Sequence, residues 1–152
     1  MRKILVALAA VLIIVPATAG SQEAYLEVLR SDVRAEKVAL VTEMMMLTDE
    51  QAQVFWPIYR EMENEILLLS DQRVALIKEY ADNYENMTDK AAEDIVAKSF
   101  KLREKRLAIE KKYWKKFKKA LDPVTAAKFY QVNNEITQMI DIQISAGLPF
   151  VK

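Results

Sequence analysis

The chain has 152 residues, 52% of them hydrophobic, with 22 basic and 22 acidic side chains, no histidine and no cysteine. Lacking both residue types removes the usual general base, thiol nucleophile and zinc ligands at once. It also excludes disulfides and a cysteine-linked lipid anchor.

The first twenty residues read as a leader. "MRK" is a short basic start, "ILVALAAVLIIV" is an unbroken apolar run, and Ala17-Thr18-Ala19 supplies an A-x-A cleavage site. These are the three parts of a secretory signal peptide, and the run is short of the ~20 residues a spanning helix needs. The expectation is a signal peptide over 1–19, cleaved after Ala19, and a single domain over 20–152, exported and soluble. After Gly20 only Gly147 and prolines 57, 123 and 149 remain as breakers, which leaves little room for the tight turns of sheets. An all-α fold of four helices is predicted.

The first helix is predicted from about Gln22 to Met45, with Leu26, Leu29, Val33, Leu40, Val41 and Met44 at helical spacing. The second begins after Thr48 and runs to about Tyr84. Thr48 and Gln51 have the spacing of a capping box, Leu47 sits at N′, and Asp49 and Glu50 suit the positive end of the helix dipole. Phe55, Tyr59, Met62, Ile66, Leu69, Leu76 and Tyr80 then form a coiled-coil-like seam. Pro57 removes the bond to the Gln53 carbonyl, so the sequence predicts a bend there; the alternative is a separate short turn with the long helix starting at Pro57. Thr88 is the expected N-cap of a third helix ending near Leu121. Its apolar face is Ile95, Leu102, Ile109, Tyr113 and Phe117, with Val96, Phe100, Leu107 and Trp114 beside it. Asp122-Pro123 opens a fourth helix ending near Ser145, with Gly147 at or past its C-cap. Two middle helices of such length predict a long antiparallel hairpin flanked by two shorter helices. Its high surface for its volume predicts an elongated homodimer, which a bend at Pro57 would make curved.

Charge is distributed unevenly along the chain. Residues 20–97 carry 7 basic and 17 acidic side chains, whereas residues 98–119 carry 11 basic and 2 acidic. Lys98, Lys101, Lys105, Lys112, Lys115 and Lys119 recur at helical spacing on the third helix. This basic, aromatic-rich segment admits three readings: nucleic-acid binding, which export argues against; a membrane-surface helix; or a solvated face neutralised by the acidic segment before it. Met44-Met45-Met46, with Met62, Met87 and Met139, suggests a soft-metal site only superficially. Neighbouring residues on a helix point in different directions, and methionine also fills adaptable apolar surface, which is the preferred reading.

"LTDEQAQVFWPI" (47–58) aligns without gaps with "LDPVTAAKFYQV" (121–132), matching Leu, Ala and Phe and pairing Trp56 with Tyr130. In an antiparallel hairpin the two starts would meet at one end, and Phe55, Trp56, Phe129 and Tyr130 are predicted to form one aromatic cluster there. With the leader and the absent cysteine, Leu47, Thr48 and Gln51 resemble the motif of the periplasmic LTxxQ proteins, the Spy and CpxP group. Leu121 matches the start of a second motif, in which Asp122 stands for Thr and Thr125 for Gln, so a second capping box cannot form in the same way. The resemblance implies a hooked four-helix hairpin, dimerised into a basic, partly apolar cradle, acting without ATP or cofactor. It implies a chaperone for unfolded or misfolded envelope proteins; the alternatives are a soluble inhibitor of a membrane sensor kinase and, further off, a metal-responsive protein.

No catalysis is expected: Ser21, Ser31, Ser70, Ser99 and Ser145 lack a recognisable base partner, and Asp49/Glu50 and Glu93/Asp94 sit where helix starts favour negative charge. The residues expected to hold a client or partner are Lys101, Lys105, Lys112, Lys115, Lys116 and Lys119 with Trp114 and Phe117. No metal, nucleic acid or stable membrane insertion after cleavage is expected.

Overall fold

A computed structural model describes residues 33–151. The leader, Leu26 and Leu29 lie outside the described residues. Within them the chain is all-α, with helix over 33–45 (α1), Asp49–Asn83 (α2), Asp89–Ala120 (α3) and Pro123–Ala146 (α4), and a single 3-10 turn at Tyr84–Asn86. No strand occurs among the described residues.

The starts of α2, α3 and α4 each have a local chemical cause. Thr48 Oγ1 accepts from Gln51 N at 3.3 Å while Thr48 N donates to Gln51 Oε1 at 3.1 Å, closing the predicted capping box. Thr88 accepts from Ala91 N at 3.2 Å and opens α3. Asp122 Oδ1 accepts from Val124 N at 3.0 Å and from Thr125 N at 2.9 Å, with Pro123 as the first residue of α4. The helix ends fall within one residue of the expected positions, with Gly147 just past α4. Beyond α4 no glycine takes a positive φ; the chain leaves through Gly147 N to Ile144 O and Leu148 N to Ser145 O, tightened bonds of 3.2 Å each. The left-handed residue instead follows α1. Met46, at φ 50°, occupies the position a glycine usually takes and donates its N–H to Thr42 O at 3.3 Å.

Pro57 lies inside a continuous α2, so the long helix begins at Asp49 and not at the proline. The flanking capping box and the buried rings of Phe55 and Tyr59 hold the segment helical through the missing backbone bond.

The described residues form two compact units: one of residues 33–46 with 131–149, and one of residues 47–130 with 150–151. In the first, Val41 and Met45 of α1 and Val132, Ile136 and Thr137 of α4 are buried. In the second, α2 and α3 lie antiparallel with the first turns of α4, and the core is Phe55, Tyr59, Met62, Leu69, Tyr113, Phe117, Ala126 and Phe129. Antiparallel register is written in the side chains joining α2 to α3. Lys98 reaches Glu79, Lys105 reaches Gln72, Lys112 reaches Glu65 and Lys116 reaches Glu61, at 2.5–2.7 Å; each rise in the donor's number matches an equal fall in the acceptor's.

Candidate functional site

The second unit gathers nearly all the residues that the sequence singles out. At one end of it the two helix starts touch at equivalent positions. Gln51 Nε2 donates to Thr125 Oγ1 at 3.4 Å, and Thr125 Oγ1 donates to Asp122 Oδ2 at 2.6 Å. A chain of polar contacts therefore runs from Thr48 through Gln51 and Thr125 to Asp122. The degenerate second motif keeps one arm of a capping box, the Asp122 carboxylate on the Thr125 amide. The other arm, which would return to the cap's own backbone, is replaced by the Thr125 hydroxyl. Three donors on Asp122, led by the Thr125 hydroxyl, hold its carboxyl below the usual range.

One turn further in, Phe55 and Phe129, equivalent positions again, meet edge to face at 4.9 Å. Phe117 joins them at 5.2 Å from Phe55 and 4.5 Å from Phe129, and Tyr59 stacks on Phe55 at 5.7 Å. Trp56 leans on Phe55 at 5.0 Å and on Tyr59 at 5.3 Å, and stays half-buried. Two predicted roles are corrected here. Tyr130 is half exposed and outside the cluster, because one residue further along α4 turns the side chain about 100° away from Phe129. Phe117 is 1% exposed and so belongs to the core rather than to a binding surface; it lies on the face of α3 that α2 covers.

The lysines of α3 divide into two sets. Lys105, Lys112 and Lys116, together with Lys98, form the ladder to α2 and are engaged rather than free. Lys112 and Lys116 also stand 5.2 and 4.9 Å from the ring centre of Tyr113, whose hydroxyl donates to Glu65 Oε1 at 2.7 Å. Hydrogen bonding by Lys112 and then Tyr113 holds the Glu65 carboxyl low, and Lys116 does the same for Glu61. Lys101, Lys115 and Lys119, by contrast, make no hydrogen bond or ion pair among the described residues; nor do Lys111 and Lys118.

Beside the unpaired lysines runs a second apolar stripe. Val96, Phe100 and Leu107 are roughly half exposed, at 51%, 56% and 48%. With half-buried Trp114 they recur at three- and four-residue multiples along one side of α3. Where α4 begins, Leu107, Glu110, Lys111 and Trp114 of α3 and Ala127 and Tyr130 of α4 line a shallow cleft of about 300 Å³. Such a cleft, mainly apolar and bordered by Glu110 and Lys111, can hold an aromatic or aliphatic side chain of another molecule.

Leu47 and Leu121 are half-buried, and Pro57 is exposed. The methionine run diverges: Met45 is 3% exposed while Met44 and Met46 face outward, so the three sulfurs do not share a site. Sequence reasoning places Leu107 and Val96 on the apolar face but misses that this second stripe is left uncovered. Thr125 was legible, since it aligns with Gln51 in the repeated segment. Tyr113 as the centre of the ladder carries no signal in sequence, because its role depends on which α2 carboxylates arrive opposite.

Compared with protein-family models, curated proteins and solved structures, the chain shows no match.

Proposed function

We propose that the protein is an exported, ATP-independent holding chaperone, a homodimer that binds unfolded or stressed envelope proteins on the open side of α3 where α4 begins. One observation carries this reading: an uncovered apolar stripe ends in a cleft at Leu107, Trp114 and Tyr130, beside lysines that have no internal partner. Long-range attraction by the lysines brings an acidic or mixed chain close, and apolar contact then retains it. Neither step needs a defined sequence in the client, and broad recognition favours open, adaptable surface over a shaped pocket.

The test is suppression of light scattering by chemically denatured clients at about stoichiometric amounts of the protein. Suppression is expected for the wild type and is expected to fall sharply when Leu107→Ser, Trp114→Ala and Tyr130→Ser are combined. Absence of suppression across several clients of different charge would overturn the reading. Recovery of one stoichiometric membrane receptor after crosslinking in the envelope would instead assign the surface to regulation of a sensor. Lys112 and Lys116 are poor choices for this test, because replacing them breaks the ladder to Glu65 and Glu61 and not the open surface.

A further inference from the structure

The unpaired lysines of α3 are not scattered. By the 3.6-residue repeat, Lys101, Lys111, Lys115, Lys118 and Lys119 fall with Val96, Phe100, Leu107 and Trp114 on one arc of roughly 140°, turned away from the residues that pack on α2. Within that arc, from Val96 to Lys119, the sole carboxylate is Glu104, which has no partner of its own. The other carboxylate of this stretch, Glu110, is engaged by Arg106 at 3.1 Å. The face extends about 35 Å along one uninterrupted helix.

We propose that this face docks the protein onto an anionic lipid surface, α3 lying in the interface plane without spanning it. Among the described residues no helix is long and apolar enough to cross a membrane, so attachment by this face is peripheral. Charge complementarity selects the partner. Five cations strung along α3 can be met together by a planar array that offers anions at every spacing, whereas a polypeptide meets only those lysines that its own carboxylates reach. The side chains between the lysines suit the same occupant. Trp114 and Phe100 lie where an interfacial helix seats its aromatic groups at the boundary between headgroups and acyl chains, and exposed lysines of such a helix can lay their stems along apolar surface and reach the headgroups with their ammonium groups. This inference shares its face with the chaperone reading and does not depend on it.

The protein, purified as the cell processes it and with its amino terminus read by mass spectrometry, is floated with vesicles of phosphatidylcholine containing about a third phosphatidylglycerol, and with vesicles of phosphatidylcholine alone. Binding is expected to the anionic vesicles only, and to weaken steeply between low and physiological salt. Combining Lys115→Gln, Lys118→Gln and Lys119→Gln is expected to weaken it at least tenfold. Lys78→Gln, an exposed change on α2, is expected to leave it within twofold. In a Trp56→Phe background the remaining tryptophan, Trp114, reports docking directly by a blue shift on vesicle addition, which covers the case of a poorly folded triple variant. Absence of binding to anionic vesicles, or equal loss in Lys78→Gln and the triple variant, would overturn the proposal. So would a triple variant that loses suppression of client aggregation while no vesicle binding exists, which assigns the lysines to unfolded protein. A Trp114 signal shifted by self-association alone would assign the face to a second copy.

Discussion

Gln51 and Thr125 sit 74 positions apart and occupy the same place in two versions of one motif, and their contact converts two independent helix caps into a connected pair. At 3.4 Å the bond is long, so its coupling should be modest. A double-mutant cycle of Gln51→Ala and Thr125→Val, read by thermal or urea unfolding, is expected to give a coupling of about 0.5 kcal/mol. Additive losses would mean that the caps act separately. Met46 bears a cost of the opposite kind. A side chain in the left-handed region is unfavourable by roughly 1 kcal/mol, and glycine tolerates that conformation. Met46→Gly is therefore expected to raise the unfolding midpoint, by about 0.5 kcal/mol of stability once glycine's larger unfolded-state entropy is counted. An unchanged or lowered midpoint would show that the Met46 side chain, although 81% exposed, contributes contacts.

At the scale of elements, α2 and α3 are joined by a core on their facing sides and by a ladder along one flank. The core term is the larger. Phe117 touches rings from α2 and α4, so Phe117→Ala is expected to cost about 3–5 kcal/mol, whereas Leu68→Ala on the exposed side of α2 should stay within about 0.5 kcal/mol. The ladder contributes a pH dependence. Lys116 holds the Glu61 carboxyl, and Lys112 the Glu65 carboxyl, below their ordinary value of 4.5. A group whose folded pKa is depressed adds stability above its unfolded pKa and loses it as pH falls through the folded value. The unfolding midpoint is therefore expected to decline as pH drops below about 4.5, and Glu61→Gln with Glu65→Gln should flatten that decline. An equally steep decline in the double variant would place the acid sensitivity elsewhere.

For the whole molecule, the leader reading makes a mass prediction. Processing after Ala19 leaves 133 residues beginning at Gly20 and carrying 20 basic and 22 acidic side chains. Intact-mass measurement of the protein purified from its host checks this, and a retained leader would contradict it. The charge division also changes its meaning once the fold is known. Much of the acidic segment before residue 98 lies on α2, and four of its side chains (Glu79, Gln72, Glu65 and Glu61) absorb the near flank of α3. The far flank keeps its lysines and its apolar stripe. Net neutrality thus conceals one helix with a neutralised side and a cationic side, and the cationic side is where both proposed interactions converge.

Helices α2, α3 and α4 were legible in the residues themselves because each of their starts is a local event: Thr48 with Gln51, Thr88 with Ala91, and Asp122 with Thr125 satisfy orphaned amides within one turn. The sequence alone likewise determined the all-α class, the pairing of the repeated aromatic segments and the absence of cysteine chemistry. Only the tertiary structure decided how each periodic row was used. Phe117 and Trp114 lie three residues apart on the same helix, yet one is core and the other lines the cleft. Lys112 and Lys115 are equally near, yet one is paired and the other is not. Periodicity assigns a residue to a face; which face meets a partner helix depends on the register with α2 and on where α4 enters, and those are contacts between segments far apart in the chain.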